Sequence, residues 1–262
     1  MSTAGINILM YHQVGPFREL TGAMHAHRST YCRVDRFATQ MAWLARMGYT
    51  VLSMDQVLAC LSGRAPIPPR AVALTFDDGY ENFAQYAWPI LQGHGFPAMV
   101  YLIAGMIGQP SRWFAADGRP TPPLMTAQRI RQLRGEGCHF GGHSVNHLKL
   151  AQQDTPAVQR EVTDCKTILE DLLGEEVRHF CYPFGSHDLR AVEAAAQAGW
   201  TSATTCLRAI ATPADDPLTL PRKAVSHGEN LLGVLWKMHF KNTPKTAPIR
   251  RAQVSGGTPA RR

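Results

Sequence analysis

Five glycines punctuate this chain in the same way: Gly48, Gly95, Gly137, Gly174 and Gly199 each follow a helical pattern directly and precede a strand directly. A glycine there adopts the left-handed cap that ends a helix and satisfies its last carbonyls. The helical patterns run over about 36–47, 81–94, 126–136, 155–173, 188–198 and 229–239. Apolar runs at 7–11, 71–76, 97–104, 138–141, 179–182 and 201–206 alternate with them. Because these runs are continuously apolar and do not alternate with polar residues, they read as parallel strands buried on both faces. Serial βα units put their crossovers on a parallel sheet, and six or seven strands make it either doubly wound or rolled into a barrel. The pattern alone leaves both open.

With 262 residues, 45% of them apolar and 18% charged, the chain has enough to bury and too little charge for disorder. The net charge of +7 would argue for nucleic acid if it were spread over the body. It is not: Lys241, Lys245, Arg250, Arg251, Arg261 and Arg262 supply +6 of it, with no acid after residue 240. A nearly neutral body binds nucleic acid weakly and in a strongly salt-dependent way, so no nucleic-acid partner is expected. No apolar run reaches a membrane span, and the N-terminus lacks the pattern of a signal peptide, so the expected location is the cytoplasm with Met1 as the mature start. The six cysteines form no CxxC pair and read as reduced, mostly packed thiols.

Two regions fall outside the βα rhythm. Residues 105–125 are rich in Pro and Gly with Trp113 and Phe114 at their centre, the mark of a long loop carried on the strand before it. Residues 241–262 hold three prolines and two glycines and few large apolar side chains. A domain over 1–240 is therefore expected, followed by a basic tail that is disordered or ordered only on a partner.

The titratable residues gather where apolar strands stop. In TFDDG, Thr75 to Gly79, two carboxylates end the run 71–76; successive strand residues face opposite sides, so Asp77 and Asp78 are expected to do different jobs unless the backbone turns there. A cation beside Asp78 would hold it ionised and leave Asp77 as a neighbouring base. His143 and His147 stand four apart after another short strand, a spacing that brings two imidazoles onto one face of a helical turn. Two histidines and one carboxylate make three ligands and leave a position for water, as hydrolytic metals need. Ser144 follows His143 where the zinc-protease motif needs Glu, so that class is excluded. His12 follows the run 7–11, and a histidine, whose unperturbed pKa is about 6.5, is a side chain that can donate a proton at neutral pH. The turn Tyr182-Pro183-Phe184-Gly185 offers backbone N–H groups for an oxyanion and aromatic walls for a sugar.

In these motifs, their order and their spacing, the chain resembles the polysaccharide deacetylase family over about residues 6–235: TFDDG at Thr75 to Gly79, HSxxH at His143 to His147, and YPFG at Tyr182 to Gly185. The resemblance implies a distorted (β/α)7 barrel and a hydrolase that removes acetyl groups from glycans. It implies a divalent ion, zinc first and Co2+, Ni2+ or Fe2+ as alternatives, held by Asp78, His143 and His147. Asp77 would take the proton of the attacking water, the ion and the Phe184 backbone N–H would share the developing oxyanion, and a histidine would protonate the departing amine.

Two departures from the family pattern are informative. The common form opens the third motif with an arginine that steadies the catalytic Asp, and Cys181 stands there; Arg222 is the residue expected to replace it. The common form also carries its acid histidine in a late LxxxH pattern, which the segment Leu220 to His227 does not match. The chain is similar instead to the circularly rearranged branch, typified by poly-N-acetylglucosamine deacetylases, in which the strand bearing the acid comes first. His12 is then the acid and His227 the fallback. The expected substrate is an N-acetylglucosamine-type glycan. The alternatives are a lipid- or nucleotide-linked sugar, which the absent signal peptide and a basic tail suited to weak inner-leaflet association favour, and a binding module that has lost catalysis.

Overall fold

Strands β1 (Asn7–Tyr11), β2 (Gln13–Gly15) and β3 (Tyr31–Arg33) lead into helix α1 (Val34–Arg46) in the computed structural model, which describes residues 5–113 and 115–251. There follow β4 (Thr50–Leu52), α2 (Met54–Leu61), β5 (Ala71–Phe76), α3 (Trp88–Gly93), β6 (Met99–Leu102), α4 (Ala127–Gly135) and β7 (His139–Gly142). The chain ends with α5 (Thr155–Leu173), β8 (His179–Cys181), α6 (Leu189–Gln197), β9 (Ser202–Thr204), β10 (Lys223–Ala224) and α7 (Leu231–Phe240). The five glycines have φ of 66°, 65°, 94°, 69° and 81°, so each takes the left-handed turn its place after a helix requires.

The main sheet is parallel, in the order β10-β1-β5-β6-β7-β8-β9, with β4 beside the first half of β5. Parallel bridging of Thr204 to Leu220, just before β10, brings the two ends of that order together and curls the sheet upon itself. This is the distorted (β/α)7 barrel that the resemblance implies; a doubly wound sheet is excluded because its outer strands would stay apart. Ala71–Phe76 are buried at every position, which is why β5 reads as an unbroken apolar run rather than an alternating one. Since the strands run the same way, their C-terminal ends share one rim, and His12, Asp77, Asp78, His143 and the turn at Pro183 all lie there.

Three expectations need correction. The helix expected over 81–94 is two pieces, a π turn Phe83–Ala87 and then α3, because Pro89 lacks the N–H of the regular ladder and its ring clashes with the carbonyl four residues back. The pair β4–α2 is an additional βα unit, started by a reciprocal capping box between Ser53 and Gln56. The basic segment after residue 240 is not all unattached. Asn242 accepts from Lys223 Nζ at 2.8 Å, Ile249 packs on the core and accepts from Thr219, and Arg251 forks onto Asp216 at 2.8 Å. Composition reports missing apolar side chains but not backbone carbonyls that find donors on the body. Arg261 and Arg262, like Phe114 of the long loop, lie outside the described residues. All six cysteines are free, and no described helix is long and apolar enough to cross a membrane.

Candidate metal and catalytic centre

The backbone does turn at the two aspartates. Asp78 and Gly79 both take left-handed conformations, φ 74° and 76°, so the chain leaves the sheet immediately after Asp77. A Cβ on Gly79 would come within 2.8 Å of the Leu102 side chain, so the turn needs glycine for both space and conformation. Even with this turn the carboxylates part: Asp77 faces Arg222, and Asp78 faces the two histidines.

His143 and His147 meet Asp78 from a loop and not from a helical turn, which corrects the expected local structure while keeping the pair. The loop reverses through left-handed residues, Ser144 at φ 61° and His147 at φ 56°. Its backbone groups are held from outside: Glu161 of α5 accepts from Val145 N at 3.0 Å, Asn146 N at 2.8 Å and Asn146 Nδ2 at 2.6 Å, while the Ser144 hydroxyl accepts from His147 N at 2.9 Å. The paired glycines before the loop allow close approach, for a Cβ on Gly142 would strike Trp200 at 2.6 Å.

His143 Nε2 and His147 Nε2 both stand 3.3 Å from Asp78 Oδ1, with all three residues buried. His143 Nδ1 lies 2.8 Å from the Cys181 carbonyl, an acceptor, so Nδ1 donates there and Nε2 is turned toward the Asp78 carboxylate. That Asp78 oxygen is buried without a hydrogen-bond partner. The three ligand atoms lie within 4.8 Å of one another, and two imidazole nitrogens with one carboxylate oxygen suit zinc or a similar divalent ion. Burial pushes the Asp78 carboxyl up, but the neighbouring His147 and His143 outweigh it and leave Asp78 well below the ordinary carboxylate range.

Asp77 is held by a different device. Arg222 Nη1 and Nη2 fork onto Asp77 Oδ1 and Oδ2 at 2.6 and 2.7 Å. Its remaining donors reach the Thr75 hydroxyl and the Cys181 sulfur at 3.0 Å each, and the Thr205 carbonyl at 3.0 Å, so a guanidinium with no solvent exposure is satisfied on all sides. Burial raises the Asp77 carboxyl, and the Arg222 charge and its hydrogen bonds lower it further than burial raises it, so Asp77 stays ionised. Cys181 fits against this pair, its sulfur 3.7 Å from Asp77 Oδ2.

His12 arrives through sheet register. Tyr11 pairs with Phe76 across β1 and β5, and the Asp77 N–H donates to the Tyr11 carbonyl at 2.9 Å, which sets the next residues side by side. His12 Nε2 lies 3.9 Å from Asp77 Oδ2, and its side chain is 15% exposed, open toward the rim. His227 is held elsewhere, with Nε2 2.6 Å from the Phe17 carbonyl. Phe184 turns left-handed, φ 58°, and its ring lies 4.5 Å from that of His147; Trp113 lies 4.6 Å from His147, so two aromatic rings flank one imidazole. Glu161 is the residue sequence reasoning missed. Its signal was present: it is a charge in the apolar stripe Val158, Val162, Cys165 and Leu169 of α5.

Comparisons with known proteins fit this geometry. The family described as polysaccharide deacetylase matches residues 64–203. YxkH of Bacillus subtilis (strain 168), named for the polysaccharide deacetylases, is 25% identical over 227 residues, covering 86% of this chain and 73% of that protein. The poly-beta-1,6-N-acetyl-D-glucosamine N-deacetylase of Escherichia coli (strain K12) is 37% identical over 79 residues, 30% of this chain and 12% of that one. The Streptococcus pyogenes deacetylase PplD, solved in complex with acetate, superposes with a TM-score of 0.76 at 26% identity, covering 90% of this chain and 99% of that one.

Proposed function

Since the chain belongs to the polysaccharide deacetylase family of carbohydrate hydrolases, we propose that it removes the N-acetyl group from an N-acetylglucosamine-type glycan with the help of one divalent metal ion. The observation that carries the reading is the unpartnered Asp78 oxygen with two imidazole nitrogens 3.3 Å from it, beside a second carboxylate locked in its ionised state by Arg222.

Asp78, His143 and His147 would hold the ion, which supplies Lewis acidity, lowering the pKa of the attacking water and polarising the acetyl carbonyl. Asp77 accepts the proton of that water. A carboxylate held this low is a weak base, so it suits only a water already made acidic. Arg222 keeps Asp77 from protonating and fixes both its oxygens. The Phe184 backbone N–H donates to the carbonyl oxygen as negative charge develops on it. His12, within 3.9 Å of Asp77, gives its proton to the departing sugar amine. The rings of Phe184 and Trp113 form the walls against which a sugar packs.

Acetate release tests the reading, measured on acetylated glucosamine oligomers, acetylated glycolipids and nucleotide sugars, each with chelator and with zinc restored. Release from the oligomers that is lost on chelation and regained with zinc is the expected outcome. Full activity after exhaustive demetallation would sink the metal reading, and release confined to nucleotide sugars would replace the substrate class.

A further inference from the structure

Helix α7 closes over the sheet with Val234 and Met238 and turns its other face to solvent. On that face Leu232, Trp236 and Phe240 are 72%, 50% and 73% exposed, the three most exposed large apolar side chains among the described residues. Their spacing of four residues sets them in one stripe along the helix. The residues from Asn230 to Arg251 include no Asp or Glu. Lys237 is neutralised by Glu229, and Arg251 by Asp216. Lys241 instead places its ammonium 4.1 Å from the Trp236 ring centre, and Lys245 and Arg250 are exposed; none of these three has a carboxylate partner among the described residues.

We propose that this face is the seat of a peripheral contact with an anionic bilayer, α7 lying in the interface plane. Trp236 sits at headgroup level, Leu232 and Phe240 enter the acyl boundary to a depth of about 5–10 Å, and Lys241, Lys245 and Arg250 meet the headgroup phosphates. Apolar insertion and attraction to anionic lipid add to one another in holding an interfacial helix. Area decides against a second copy of the chain. Three side chains on a 10-residue helix fall well short of the roughly 800 Å² per partner of a stable dimer.

The test floats the full chain with vesicles of phosphatidylcholine alone and of phosphatidylcholine with phosphatidylglycerol, with mass measured by light scattering and folding checked by thermal unfolding. Flotation only with phosphatidylglycerol, weakened by salt, is expected. Each lysine removed in Lys241→Ser and Lys245→Ser should weaken vesicle affinity roughly fivefold. The double variant Leu232→Ser/Phe240→Ser, unfolding as the wild type does, should lose at least about tenfold. The proposal fails if the wild type floats with neither vesicle, if the stripe variant floats as well as the wild type, or if that variant turns a dimer into a monomer while flotation stays the same.

Discussion

Two residues carry the features that set this chain apart from the family's common form. His12 faces Asp77, while His227 is spent on the Phe17 carbonyl. His12→Ala should therefore lower turnover by about 10²–10⁴, with His227→Ala close to wild type on the same acetylated oligomer. Loss only in the His227 variant would reverse the assignment. Arg222, next to β10, reaches both Asp77 and the sulfur of Cys181, the position at which the resemblance led an arginine to be expected. Arg222→Met leaves a buried carboxylate uncompensated, at a cost of about 3–5 kcal/mol in stability. Without the arginine, burial is opposed only by the smaller effects of His12 and His143, so the Asp77 carboxyl rises and the acid limb of the rate profile moves to higher pH. Adding Cys181→Arg in the same chain should return both stability and the acid limb toward wild type. If a folded double variant keeps the shifted limb, the two positions are not interchangeable sources of one charge.

Among the elements, α5 has the least obvious role, because it serves the site without reaching it. Glu161 accepts three hydrogen bonds from the loop between His143 and His147, so the helix holds the loop that carries the two imidazoles. Glu161→Gln keeps the volume but turns an acceptor edge into a donor facing N–H groups. Zinc affinity, measured by competition with a chelating dye, should fall by about 10–100-fold, with helix content unchanged. Unaltered affinity would show that the loop holds its shape without the clamp. Elements of this length announce themselves by period, as α5 does over Thr155–Leu173, whereas β4 and β10, of three and two residues, are too short to show one.

The molecule as a whole is tied where its first and last strands meet. Lys223, fully buried on β10, donates to Asn7 of β1, to the Met238 carbonyl of α7 and to Asn242, all neutral acceptors. Burial pushes its ammonium down to about 8, with Arg208 adding to the effect. The unfolded chain keeps this proton to about pH 10.4, so between about 8 and 10 the unfolded state binds more protons and rising pH favours folding. The penalty is present in full below about 8 and is relieved above it, by up to about 3 kcal/mol. Buried thiols such as Cys32, pushed up to about 12, act in the opposite sense over the same range. The readout is therefore the difference between wild type and Lys223→Met in denaturant unfolding at the two ends of that window. Parallel pH dependences would remove Lys223 from the account.

The sequence by itself determined the βα alternation, the helix ends at the five glycines and the three motifs that gather the candidate site residues, because period, cap chemistry and motif spacing are local properties of the chain. It did not determine that His143 and His147 sit on a loop, since the clamp from Glu161 and the left-handed backbone at Ser144 and His147 depend on a helix that comes later. Whether the sheet closes was likewise undecided until Leu220 met Thr204. The ion pair between Arg222 and Asp77 joins residues 145 positions apart. Only barrel closure brings such residues together in the dry interior, where a charge without a partner is too costly to keep and the choice of partner becomes specific.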